Sequence, residues 1–309
     1  MRELTDPESD GSPTEALVDL VAVRQPMLQP EPSASGVSPR NQLNDLTAKE
    51  WIPETVSVWR QRGLGADHPD AQIERRHPAP FSFTDVGRLV RFFTKRGQRV
   101  LDPFVGVGST LKACAIDDRC GTGIELNSDF AELARKRLST EAQGLFANPD
   151  QVVLEGDARQ ILPTLERSSF DFVVTSPPYW NILHKQDHKV RQERLSRNLQ
   201  TRYSESDPRD FGNIADYPRF VTELTSIFEE CRLLLQRGRY LAVIVGDFRD
   251  GDRYRMFHAD LANQLETVGY VLKGVTILYQ THKRVFPYGY PAAFVPNLHH
   301  QYILIMRNG

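Results

Sequence analysis

From Arg99 onward, short apolar runs suited to strands alternate with amphipathic stretches suited to helices, which leaves few folds open. Runs at 99–104, 120–126, 151–158, 170–178 and 239–247 read as strands. Between them, 108–119, 128–138, a short piece around 159–165 and a long amphipathic run from Tyr217 toward Gly238 read as helices. Ser128 is the expected cap of the second of these. A helix over 257–269 is followed by strands at 270–278 and 300–307 with only a loop between them. Alternating β and α units predict a parallel sheet covered on both faces, and the last two strands predict an antiparallel hairpin at one edge. The expected fold is therefore α/β and Rossmann-like, with a mostly parallel seven-stranded sheet.

Ahead of this array, 83–97 carries the stripe Val86, Leu89, Val90 and Phe93, with Ser82 or Thr84 as cap and Gly97 as stop. Residues 43–59, with Trp51 and Trp59, have helical spacing in places. Residues 1–40 are rich in Pro, Ser, Glu and Asp, which predicts a disordered tail before a catalytic domain over 41–309. The polar stretch 182–216 fits no core element and holds Lys185, Lys189, Arg191, Arg194, Arg197 and Arg202; it reads as an insertion able to contact a polyanion.

Composition mainly excludes. A net charge of -2 gives no global sign of nucleic-acid binding, so any such surface has to be local. Cys114, Cys120 and Cys231 lack metal-type spacing, and His299-His300 has no partner at ligand spacing, so no metal is expected. No secretory leader and no membrane-length apolar run is visible, and the expected location is the cytoplasm.

The chemistry concentrates at strand ends. After the first strand comes Asp102-Pro103-Phe104-Val105-Gly106-Val107-Gly108, where glycines let backbone approach a ligand. A dinucleotide fingerprint wants glycine at position 111, which is Leu. Glu125 ends the second strand, 17 residues past Gly108, where a carboxylate can accept both ribose hydroxyls of an adenosine. Asp157, after the third strand, is placed to accept from an adenine amino group. The fourth strand ends in Ser176-Pro177-Pro178-Tyr179-Trp180. Two prolines fix the backbone and leave carbonyl acceptors beside a hydroxyl. Ser176 Oγ and the Pro177 carbonyl can take the two hydrogens of a planar amino group, with Tyr179 or Trp180 stacking on its ring.

These motifs, "LDPFVGVGST" and "TSPPYW", with "HPAPFS" at 77–82, resemble those of the amino-methylating DNA methyltransferases, the N4-cytosine and N6-adenine group. The cofactor loop here precedes the catalytic tetrapeptide, a permuted order. The resemblance implies S-adenosyl-L-methionine as cofactor, held by Asp102, Phe104, Gly106, Gly108, Glu125 and Asp157. It implies catalysis by Ser176, Pro177, Pro178 and Tyr179 and double-stranded DNA as substrate, with a cognate restriction endonuclease as a possible partner. Ser at the first catalytic position leans toward N4 of cytosine; N6 of adenine, an RNA base and a non-catalytic nucleic-acid-binding module stay open. No cysteine follows a proline, which disfavours the thiolate route to C5 of cytosine. The loop "YQTHKRVFPYGYPAAFVPNLHH" mixes basic and aromatic residues and reads either as a nucleic-acid contact or as a surface loop with its own apolar cluster.

Overall fold

The computed structural model describes residues 36–61, 73, 82–141, 150–180 and 207–309. In chain order its main elements are α1 (Ala48–Trp51), β1 (Val58–Gln61), α2 (Phe83–Phe93), β2 (Arg99–Asp102), α3 (Ser109–Ile116), β3 (Cys120–Glu125) and α4 (Ser128–Glu141). There follow β4 (Val152–Glu155), α5 (Ala158–Ile161), β5 (Phe170–Thr175), α6 (Tyr217–Leu234), β6 (Leu235–Val245), β7 (Phe248–Asp250), β8 (Arg253–Arg255), α7 (Phe257–Thr267), β9 (Tyr270–Gln280) and β10 (His300–Asn308). The readings of residues 1–35, of "HPAPFS" up to residue 81 and of most of 182–216 lie outside the described residues.

The expected α/β sheet is present, with one strand more than expected. Among the described residues, eight strands lie in the order β1-β9-β10-β6-β5-β2-β3-β4. Of these, only β10 runs antiparallel, to both β6 and β9. The β9–β10 hairpin is therefore not the edge: β1 pairs parallel to β9, Val58 opposite Ile277 through Gln61 opposite Gln280. Residues 58–61 alternate exposed and buried, a strand period too short to stand out against the helical spacing before it. A small separate ribbon, β7 with β8, was also not legible from composition.

Each face of the sheet carries its own core. Leu241, Val243 and Val245 of β6 point to one side, where Phe220, Leu224 and Phe228 of α6 and Phe257 of α7 bury fully. Ala242 and Ile244 point to the other, against Val86, Leu89, Val90 and Phe93 of α2 and Trp59 of β1. Burying one such side chain stabilises by roughly 1.5–3 kcal/mol, so the two layers hold the strand ends in fixed register. β5 is buried along its whole length, as expected of a central parallel strand.

Two local readings are corrected. The long helix ends at Leu234, and β6 starts at Leu235 and runs through Gly238, which takes φ +79 next to an irregularity in the β5–β6 register. At the start of α4 the capping side chain is Asn127, whose Oδ1 accepts from the amides of Asp129 and Phe130; Ser128 is the first helical residue. Ser82 caps α2 as expected, its hydroxyl accepting from the Thr84 amide.

Candidate active site

Strands β2 to β5 point their carboxyl ends to one edge, and a cavity of about 280 Å³ opens there. Its wall includes Phe104, Glu125, Asp157, Ala158, Ser176 and Pro178. Residues from four strand ends far apart in sequence thus share one cavity, the arrangement expected where ligands bind open α/β sheets.

The glycine loop is built inward. The Phe104 amide donates to Asp102 Oδ1 (3.0 Å), and the Gly106 amide donates to Glu125 Oε2 (2.9 Å). The amides of Val105 and Gly108 donate to the carbonyls of Ile124 and Val105. These four amides are spent inside the fold and are not offered to a phosphate. The close approach has a steric signature: a Cβ at Gly123 would meet the Val105 side chain at 2.6 Å. Gly108 takes φ +82, and a Cβ there would meet Ala134 of α4 at 3.1 Å. Gly106, Gly108 and Asp102 therefore shape the loop and do not line the cavity, whereas Phe104 does.

Asp102 acts as a pin. Its Oδ1 also accepts from Thr175 Oγ1 (2.6 Å), and its Oδ2 accepts from Thr110 Oγ1. One carboxyl ties the glycine loop, the first turn of α3 and the residue before Ser176 together. Burial raises its pKa to about 6, against the pull of these three donors.

Glu125 is one carboxylate of the cavity wall. Its Oε1 accepts from the Asn127 amide (2.8 Å), and burial raises its pKa to about 7 although two backbone amides pull it down. Asp157 caps α5 through the Arg159 amide, and both its oxygens accept from Arg159 Nε at 3.0 Å. Arg159 in turn bonds Glu223 and the Arg209 carbonyl. Asp157 reaches the cavity as half of an ion pair, a partner invisible as such in a sequence where Arg159 reads only as a helix residue.

Ser176 and Pro178 line the cavity; Pro177 is buried behind them. Tyr179 turns to the other side of the edge. Its hydroxyl accepts from Gln301 Nε2 of β10 (2.6 Å), and burial raises its pKa, offset by its hydrogen bonds with Gln301, the Ser176 side chain and the Gly246 backbone. Trp180 is no stacking platform: it is buried, donates from Nε1 to the Ile214 carbonyl (2.8 Å) and packs edge-on against Tyr217.

Sequence reasoning missed the far half of this edge. Gln280 Nε2 donates to Gln301 Oε1 (3.3 Å) and to Gln61 Oε1 (2.9 Å), and Gln61 Nε2 donates to Asp85 Oδ2 (2.6 Å). A row of amides at the ends of β10, β9 and β1 thus runs from Tyr179 to the buried carboxyl of Asp85 on α2. At the end of β6, Asp247 Oδ1 lies 2.7 Å from His258 Nδ1, and that imidazole stacks on Tyr302 with centroids 3.7 Å apart. Glutamines at strand ends carry no motif, and only the β1–β9–β10 pairing brings them together. Among the described residues, no group of three or more His, Cys, Asp or Glu could hold a metal, and no helix is long and apolar enough to cross a membrane.

The cavity also has a sign. Among the described residues, Glu125, Asp129, Asp157, Asp207 and Asp210 line it against the single cation Arg209. Phe104 and Phe211 meet edge to face at 5.7 Å on its wall. An acidic pocket with aromatic walls favours a cationic ligand with apolar surface over a polyanion.

A family described as DNA methylase, of the N6-adenine and N4-cytosine type, matches residues 23–136, the part that holds the glycine loop and Glu125. The chain is 33% identical over 92 residues to the Type II methyltransferase M.ScaI of Streptomyces caespitosus, covering 29% of this chain and 30% of that protein. It is 27% identical over 136 residues to a tRNA (guanine(10)-N2)-dimethyltransferase of Pyrococcus abyssi, covering 42% of this chain and 38% of that one. Among solved structures, a putative DNA modification methylase of Thermus thermophilus, complexed with S-adenosyl-L-methionine, is 28% identical over 50% of this chain and 53% of that chain, with a TM-score of 0.34. The chain thus spans about a third of the length of these curated relatives. Fold and site define an α/β protein with an acidic, aromatic-walled cavity at the carboxyl ends of its parallel strands. Residues 23–136 of the chain thus resemble the amino-methylating DNA methylase family, and several Type II methyltransferases share shorter stretches with it.

Proposed function

We propose that the protein is a DNA methyltransferase that transfers the methyl group of S-adenosyl-L-methionine to an exocyclic amino nitrogen, N4 of cytosine before N6 of adenine. One observation carries the reading: Ser176 and Pro178 share a cavity with Glu125 and Phe104, so an amino-group receptor stands beside an adenosine-type site. The cofactor supplies an electrophilic methyl on a cationic sulfur. Glu125 accepts its ribose hydroxyls, Asp157 faces the adenine side, and Phe104 and Phe211 flank it. The carboxylates of the wall favour its positive charge.

The chain's own part in catalysis is to orient an amine. Ser176 also interacts with the Tyr179 hydroxyl, which helps fix its side chain, and a serine lone pair accepts an N–H of the target. The rigid Pro177-Pro178 backbone presents carbonyl oxygen to the second N–H. With both hydrogens held, the nitrogen lone pair leaves conjugation and faces the cofactor side; alignment supplies much of the rate. A base inside a duplex has to be extruded first, at a cost of a few kcal/mol. Asp102 sets the distance between the two halves by bonding Thr175 and the glycine loop at once.

Serine at position 176 supports cytosine N4. The Type II names of several relatives support a restriction–modification setting in the cytoplasm with a cognate endonuclease. The longer match to the tRNA guanine-N2 enzyme favours, as a second reading, an amino group on an RNA base. The test is nucleoside mass spectrometry of DNA incubated with the protein and methyl-labelled S-adenosyl-L-methionine. Labelled N4-methylcytosine is expected; labelled N6-methyladenine reverses the base; unlabelled DNA with labelled tRNA replaces the reading by the second.

A further inference from the structure

From Thr267 to Gly309 the sequence contains no Asp or Glu, although the whole chain holds 40. The same stretch carries Lys273, Lys283, Arg284 and Arg307. Its centre is the connection of residues 281–299 from β9 to β10, which leaves the sheet at the edge where Tyr179 meets Gln301. That connection is stiffly built. The Phe286 amide donates to Asn297 Oδ1 and Asn297 Nδ2 donates back to the Phe286 carbonyl, both at 2.8 Å. Gly289, at φ +75, makes a turn in which a Cβ would meet the Ala293 carbonyl oxygen at 2.3 Å. Yet this ordered loop buries little of its apolar surface: Tyr290 is 83% and Phe294 89% exposed, and Phe286 and Tyr288 are about half exposed.

We propose that the β9–β10 loop is a nucleic-acid contact element, with Tyr290 and Phe294 against bases and Arg284 on phosphate. Four exposed aromatics on a hydrogen-bonded loop that carries cations and no carboxylate of its own fit a polyanion that presents flat apolar rings. A protein partner would meet the same aromatics but gives no reason for a segment this long to shed every acid. Lys283 has a lesser part: its Nζ leans back toward the Leu298 carbonyl at 3.4 Å. Because the loop returns into β10 directly before Gln301, nucleic acid seated on it lies next to Tyr179. This deepens the proposed function by naming the surface that holds the substrate, and it rests on that reading for the position of the target base.

The test is fluorescence anisotropy of a labelled mixed-sequence DNA duplex with the full chain, comparing wild type with Tyr290→Ala, Phe294→Ala and Arg284→Gln, alongside calorimetry with S-adenosylhomocysteine. These side chains are exposed and their loss leaves the core intact. Each aromatic variant is expected to bind the duplex about ten-fold more weakly. Arg284→Gln is expected to lower the slope of log affinity against log salt by about one. S-adenosylhomocysteine affinity should stay within about two-fold throughout. Variants that bind the duplex as wild type does overturn the loop assignment, as does a dimer in solution that Phe294→Ala dissociates. Wild-type duplex binding lost in the variants, without methyl transfer to DNA, keeps the loop assignment and overturns the reaction instead.

Discussion

Glu125→Gln tests the cofactor side most directly, because the carboxyl titrates where the protein is easily handled. Burial lifts its pKa from an ordinary 4.5 to about 7. That corresponds to about 3 kcal/mol against the ionised form. The sign follows from proton counting. Between pH 4.5 and about 7 the folded, ligand-free protein holds a proton that the unfolded chain has lost, so its stability falls as pH rises through that window and is level above it. In the proposed role ribose hydroxyls donate to the anion, so ligand affinity moves the other way, and S-adenosylhomocysteine should bind about ten-fold more tightly at pH 8 than at pH 6. In Glu125→Gln the amides of Gly106 and Asn127, which now donate at 2.9 and 2.8 Å, face one oxygen and one NH2. One buried donor loses its acceptor, which costs roughly 1–3 kcal/mol. The variant should therefore bind weakly with a flat profile between pH 6 and 8, while Asp102, raised to about 6, leaves a smaller slope in stability at lower pH. Isothermal titration calorimetry at three pH values, with urea unfolding in parallel, reads both effects. A wild-type affinity that does not change from pH 6 to 8, or a variant that keeps the slope, refutes the ribose role.

Ser176→Ala should lower kcat by about 100-fold and leave S-adenosylhomocysteine affinity near wild type, as expected of an interaction made with the reacting amine; an equal loss of ligand affinity in calorimetry contradicts the assignment. Gln301→Leu removes the 2.6 Å bond to the Tyr179 hydroxyl and should reduce kcat by about ten-fold with ligand affinity unchanged. Near-UV spectrophotometric titration should also move the tyrosine absorbance, a change that a purely structural loss elsewhere does not produce. Gly123→Ala forces a methyl to within 2.6 Å of the Val105 side chain, and should destabilise by about 1–3 kcal/mol in urea unfolding while weakening ligand binding through the displaced loop.

Much of the fold was readable because its signals are local. Strand and helix periods separate within a few residues, and Asp102, Glu125, Asp157 and Ser176 stand at or just past the ends of strands, which in a parallel sheet places them on one edge. The sequence alone therefore determined the α/β class, the seven strands β2 to β6, β9 and β10, and the residues its motifs set at the strand ends. Tertiary structure decided what depends on partners distant in the chain. It recruited Gln61 through the β1–β9 pairing, and it set the glycine-loop amides on Glu125 and its neighbours, not on a phosphate. It made Asp102 a pin, gave Asp157 the Arg159 guanidinium, sent Trp180 into the core and turned Tyr179 toward Gln301. The physical reason is that a motif specifies backbone path and chemical type, whereas a hydrogen bond or a burial is fixed only when a second segment arrives, and no local period encodes which segment that is.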